Sequence, residues 1–94
     1  MLFAVRLVTR QPSDVPSDQW QTLVANQLRH VKGLYDQGKV KSIYRETGVG
    51  VLAIVDVADA REMDQVLAGL PLAQYTVEST ASAIWDMVPT LQSL

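Results

Sequence analysis

Few residues in this chain can do chemistry. Its 94 residues include one histidine and no cysteine, so thiolate nucleophiles, disulfides and histidine-rich metal centres are excluded within one chain. What remains is Gln27 and His30 on one predicted helix, the adjacent pair Tyr44 and Arg45 on a predicted strand, and Tyr75 where the last strand opens. An amide side chain donates and accepts hydrogen bonds but takes no proton at ordinary pH. Imidazole and phenol groups can pass protons, and a guanidinium can hold a carboxylate through two parallel hydrogen bonds. No carboxylate cluster accompanies His30 by spacing, so nothing points to a metal or haem site.

Each of these residues also has a reading without chemistry. Counting about 100° per residue from Trp20, Gln27 lies about 20° from the Trp20 direction, near the middle of an apolar stripe that includes Leu28, Val31 and Leu34. A glutamine facing a sheet must find partners, because an unpaired buried amide costs about 1–3 kcal/mol. Either a backbone carbonyl satisfies it, or helix and sheet part there to form a polar-tipped pocket. His30 falls at the stripe's margin, where a solvated histidine is the default. On the second strand, strict alternation puts Val40, Ser42, Tyr44 and Glu46 on one face and Lys39, Lys41, Ile43 and Arg45 on the other. Tyr44 and Arg45 then point oppositely, and only one can meet a ligand between helix and sheet. Arg45 either clamps a ligand carboxylate or pairs with Glu46, Glu78 or an acid on another subunit.

The elements that position these residues follow from periodicity. Residues 2–9, LFAVRLVT, read as a strand, and the loop QPSDVPSD leads to a helix from Trp20 to Gln37, with Ser17 or Asp18 as N-cap and Gly38 as its stop. VKSIYRE and VLAIVDV are the next two strands, with Gly48 and Gly50 at the turn between them. DAREMDQVLAG is a short helix, QYTVESTASA a fourth strand and WDMVPTLQSL a tail. The order β-α-β-β-α-β predicts an α+β, ferredoxin-like domain: a four-stranded antiparallel sheet with both helices on one face. One domain spans 1–94, with a core over 1–82 and an oligomer-contact tail over 83–94.

Two strands decide the assembly. A sheet wet on one face should alternate apolar and polar residues, yet LFAVRLV and VLAIVDV are apolar on both faces for most of their length. Two helices cover one face only, so a second copy packed sheet against sheet is the expected cover. Trp85, Met87, Val88, Leu91 and Leu94 of the tail are placed to wrap that neighbour. Apolar residues make up 48% and charged residues 19% of the chain, which fits a folded domain rather than a disordered one. The net charge of −2 gives no electrostatic reason for a nucleic-acid or membrane partner. The opening MLFAVRLVTR is too short and too soon interrupted for a signal peptide or membrane span, which leaves a cytoplasmic protein as the expectation.

An ordered set of segments adds a resemblance. MLFAVRL at the start, GKVKSIYRETG, the strand end VDV and then GLPLAQY resemble the muconolactone Δ-isomerase family. Its members begin MLFHV, carry G-x-W-R-x-L-W-R-x-x-G, end the third strand in FDV and close the second helix with LPLFPY. The likeness covers residues 1–81, with a one-residue contraction near Gly48. It implies a dimeric α/β barrel, a dimer at least and rings as large as decamers. It also implies cofactor-free migration of a double bond in an unsaturated lactone, begun by a carboxylate base on the first helix. The base position corresponds to Gln27 here, which cannot accept a proton. A tyrosine and an asparagine early in the family's third strand correspond to Val49 and Val51, or to Gly50 and Leu52. Arg45 matches the family arginine, Tyr44 replaces the tryptophan beside it, and Ala4 replaces an early histidine.

Two functions are therefore expected from different classes. One is a divergent, cofactor-free isomerase of aromatic catabolism or a related pathway, acting on a small anionic lactone or ring compound. Gln27, His30 and Tyr44 would be its catalytic candidates, and Arg45, Leu52 and Tyr75 its substrate contacts. The other is a non-catalytic metabolite-binding or structural member that has lost the base.

Overall fold

The computed structural model describes residues 1–94. Its elements are β1 (Leu2–Thr9), α1 (Ser17–Asp36), β2 (Val40–Glu46), β3 (Gly50–Asp56), α2 (Ala60–Ala68), β4 (Thr76–Ile84) and α3 (Val88–Gln92), with a single 3₁₀ turn at Ala73–Tyr75. The sheet order is β2-β3-β1-β4 with every neighbouring pair antiparallel, which is the ferredoxin-like arrangement. Several expected boundaries move. The last strand starts at Thr76 because the residues before it wind into the 3₁₀ turn, and α1 starts at Ser17 with Pro16 in the cap position and no side-chain cap bond. The tail is not all irregular, since Val88–Gln92 form a short helix.

Glycines punctuate the chain where the backbone demands them. Gly38 and Gly48 take φ of 80° and 74°, a region that favours residues without a Cβ. Gly50 is needed for a different reason: a Cβ there would overlap the carbonyl oxygen of Leu7 on β1. Gly50→Ala is therefore expected to destabilise the chain by about 1–3 kcal/mol through forced strand displacement. Urea unfolding of the two chains checks this, and equal midpoints would contradict it.

Register sorts the side chains. Phe3 and Val5 face Val55 and Ala53 across β1–β3, and all four are buried with Val40, Val57 and Met63, while Val31 and Leu34 of α1 and Val66 and Leu67 of α2 pack on them. Both helices therefore cover one face. The other face carries Leu2, Ala4, Leu52 and Ile54, and the pairing brings Ile84 and Ser82 beside Leu2 and Ala4. At one end of this face Arg6 donates to Glu46 at 2.8 and 3.2 Å. At the other end Lys41 lies 3.9 Å from Asp56. An apolar centre with charged ends is left without cover.

One expectation about this sheet is corrected. Register slips between Val40 and Ser42, so β2 has a bulge and its alternation restarts. Val40 joins Ile43 and Arg45 on the helix face, and Ser42, Tyr44 and Glu46 lie opposite.

The chain is looser than its length requires. A compact domain of this size has a radius of gyration of about 12 Å, whereas this one has 15.0 Å and a long dimension of 55 Å. Trp85, Met87, Val88, Leu91 and Leu94 are all exposed. Only ten of the 94 residues are buried, and α1 contributes none of them in 20 residues. Space is left between part of α1 and the sheet.

Candidate functional site

That gap is a cavity of about 320 Å³ between α1, α2 and the helix face of the sheet. Its size lies at the lower end of the range for small-molecule sites, which suits a single small ring. Trp20, Val24, Gln27, Leu28 and Val31 form the α1 wall, Val5, Ala53 and Val55 form the floor, and Arg45 and Val49 lie at the β2–β3 end. Leucine and valine side chains of the facing elements line this space instead of filling it.

The connection after α2 closes one side of the cavity. Gly69 ends the helix and the chain turns back on itself, Ala73 N–H donating to the Leu70 carbonyl at 3.0 Å and Tyr75 N–H to the Leu72 carbonyl at 2.9 Å. Leu70 and Leu72 are 8% and 4% exposed and line the cavity. Leu72 N–H donates to Gln27 Oε1 at 3.1 Å across 45 positions of sequence. The apolar connection is thus a wall of the cavity and an anchor for its polar residue. Its last residue, Tyr75, meets the Trp20 ring edge-to-face with centroids 5.5 Å apart. Such a contact fixes the orientation of Trp20.

The structure brings Gln27 and Arg45 to one cavity and leaves the other four candidates off its lining. His30 is exposed on the outer side of α1. Tyr44 is 61% exposed and pairs in register with Leu52 on the face away from the helices, so neither touches a ligand in this cavity. Tyr75 acts on it only through Trp20. Of the two placements across the contraction, Val49 and Val51 both reach the cavity, whereas of Gly50 and Leu52 only Gly50 does. Trp20 and the Leu72 backbone are features of the cavity that the candidate residues did not include. Trp20 stood on the apolar stripe and was legible as core, whereas a backbone N–H leaves no mark in a sequence.

Electrostatics divide the cavity sharply. Glu46, the nearest acid in sequence, is on the opposite face and is taken by Arg6 at 2.8 Å. Arg45 makes no ion pair, since the five present join Met1, Arg6, Lys32, Lys39 and Lys41 to other acids. No Asp, Glu, His or Tyr lines the cavity. The site can hold an anion and polarise a carbonyl, but it contains no side chain of its own that takes a proton near neutral pH. No cluster of three or more His, Cys, Asp or Glu is placed to hold a metal ion, and no helix is long and apolar enough to cross a membrane.

Comparison with known proteins agrees with this fold. The sequence profile of a family described as muconolactone delta-isomerase matches residues 1–83. The muconolactone Δ-isomerase of Acinetobacter baylyi is 38% identical over 81 residues, spanning 80% of this chain and 79% of the relative. That of Cupriavidus pinatubonensis is 33% identical over 76 residues, spanning 80% and 83%. Among solved structures, muconolactone isomerase superposes with a TM-score of 0.82 at 22% identity, covering 92% of this chain and 90% of its own. The 5-chloro-2-hydroxyhydroquinone dehydrochlorinase of Burkholderia phenoliruptrix, in complex with 2,5-dihydroxybenzoquinone, gives a TM-score of 0.65 at 17% identity, covering 92% and 94%. At these identities the structural likenesses speak to fold alone.

Proposed function

The chain belongs to the muconolactone delta-isomerase family, and from that premise we propose that it is a divergent, cofactor-free isomerase-type protein for a small anionic lactone or ring compound in aromatic catabolism. The observation that carries this is the meeting of an unpaired Arg45 and a half-buried Gln27 in one small apolar cavity. Arg45 holds the ligand carboxylate, and the Gln27 amide donates to the ring carbonyl. Donation to the carbonyl acidifies the ring C–H conjugated with it. The proton leaves to water, the dienolate oxygen stays hydrogen-bonded to Gln27, and protonation at a different ring carbon completes the double-bond shift. Atoms and electrons balance without an oxidant or metal. Such a route forgoes a positioned general base, which is worth about 10²–10⁴-fold in rate.

A second reading is favoured by the absence of any Asp, Glu or His from the cavity lining: a binding protein for the same class of compound, without turnover. Proton NMR of muconolactone incubated with the chain separates the two. Double-bond migration faster than in buffer supports the isomerase. Calorimetric binding without migration supports the binder, and neither signal would remove both. In either case the face Leu2, Ala4, Leu52, Ile54 packs on a second copy, and the exposed tail contacts a neighbour.

Arg45→Ala is expected to weaken binding of a ring carboxylate about 10–100-fold, the worth of a charge-assisted hydrogen-bonded pair. Calorimetric titration reads this directly. A loss below about twofold would place the carboxylate elsewhere.

A further inference from the structure

The two edges of the sheet differ. β2, at one end of the order β2-β3-β1-β4, is blunted: it has seven residues, three of them charged, and a bulge between Val40 and Ser42. Such features keep an edge from accepting another strand. β4, at the other end, has nine residues, no proline and one charge, Glu78, and all but its first and last residues are exposed. The register shift opposite Val8 and Thr9 puts a bulge at Val77, so Glu78–Ile84 is its flat stretch. No strand lies along its outer side. Past its end stand Trp85 and Met87, 69% and 52% exposed. Beside its start is a dimple of about 140 Å³ lined by Leu7, Leu67, Leu70, Ala73, Thr76 and Ser79. The chain's own Trp85 is out of reach of it, six residues and about 20 Å along the strand from Ser79.

We propose that the β4 edge seats a second copy of this chain, the two β4 strands antiparallel about a twofold axis at Ala81 and the partner's Trp85 in the dimple. A pairing centred on Ala81 matches the flat stretch end to end and is self-complementary. Glu78 then lies opposite the partner's Ile84, so no like charges face each other. The partner's Trp85 arrives beside Val77 and, by alternation along β4, on the face that carries Ser79. The partner's Asp86 arrives beside Thr76 on the other face. Arg10 is exposed there, its N–H donating to the Tyr75 carbonyl at 3.0 Å. Neither Arg10 nor Asp86 belongs to any of the five ion pairs within the chain, and their pairing across the axis fixes the register. The axis keeps both helix faces on one side, so the eight strands curl with their open faces inward. The inference deepens the reading that a second copy covers the open face, on which it rests, and it needs no ligand.

The chain has no cysteine, so a single introduced one can link only to another copy. Under mild oxidation Ala81→Cys is expected to give a disulfide-linked dimer, because the axis brings the two residues within about 5.5 Å. Ser79→Cys alone should not link, whereas a mixture of Ser79→Cys and Ala83→Cys should. In Trp20→Phe the only indole left is Trp85, and its emission should shift to the blue as the chain associates. Asp86→Lys should weaken association about fivefold, and adding Arg10→Asp should restore it. Circular dichroism verifies the folding of each variant. The proposal is overturned by no link in Ala81→Cys, by equal linking in Ser79→Cys, or by an Asp86→Lys defect that Arg10→Asp does not relieve. A Trp85 emission that stays that of a water-exposed indole in the oligomer overturns it as well. Light scattering separates it from the reading beneath: an oligomer without the Ala81 link leaves the covered face standing, and a monomer removes both.

Discussion

Gln27→Glu is expected to raise the rate of double-bond migration in muconolactone about 10²–10⁴-fold over the unsubstituted chain, the range a positioned general base contributes. The geometry for that base is already present. Leu72 N–H, 3.1 Å from Oε1, would hold one carboxylate oxygen and leave the other free at the cavity. Arg45 on the same lining would keep the lactone's carboxylate away from the new charge. The walls of leucine and valine push the pKa of Glu at this position up, and the Leu72 hydrogen bond opposes them. Because only the ionised form accepts a proton, the variant's rate should rise with pH and level off once the carboxylate is ionised. The unsubstituted chain should show no such step. Proton NMR of lactone turnover across pH reads both, and a variant no faster than the parent would mean that α1 does not place its side chain over the ring.

Ile54→Asp is expected to convert an oligomer to monomers and to lower stability by about 3–5 kcal/mol. Ile54 sits mid-strand on the uncovered face, opposite Ala4 on β1 and Ser42 on β2. If two copies pack sheet against sheet about a twofold axis, one substitution inserts two carboxylates into a single apolar interface. An unpaired buried charge is strongly destabilising because its desolvation is not repaid. The radius of gyration of 15.0 Å, large for a chain of this length, and the tail exposed from Trp85 to Leu94 fit a subunit shaped to contact others. Light scattering after size exclusion, followed by thermal melting, checks both parts. A parent chain that elutes as a stable monomer, or an unaltered oligomer in the variant, would contradict the sheet-on-sheet assembly.

Much of this was legible in the residues, for reasons that differ by element. VLAIVDV reads as a strand because it is a short run rich in β-branched residues that opens after Gly48 and Gly50, and β1 and α1 follow from composition and period in the same way. Gln27 stood out because a polar residue interrupted a stripe of Leu28, Val31 and Leu34. The face of β2 was misread: alternation from Val40 puts Arg45 opposite it, but the bulge between Val40 and Ser42 brings them to the same side. A bulge of one residue has no signature in VKSIYRE, whose charges are tolerated on either face. The two readings of Arg45 could not be separated in sequence either. Three-dimensional pairing narrows them, because Arg6 on β1 reaches Glu46 at 2.8 Å and no acid of the same chain pairs with Arg45. The hold on Gln27 was invisible for a deeper reason, since the donor is a main-chain N–H and every residue but proline has one.

The proposed function requires that the cavity under α1 bind a small ring carboxylate through Arg45 and Gln27. Titration of a saturated γ-lactone bearing an acetate side chain, which has no ring double bond to move, isolates binding from any turnover. One molecule is expected to bind per chain, with affinity lowered about tenfold or more in Arg45→Ala and in Val24→Trp, which fills the cavity from the α1 wall. No heat of binding, or a binding curve indifferent to both substitutions, would contradict it.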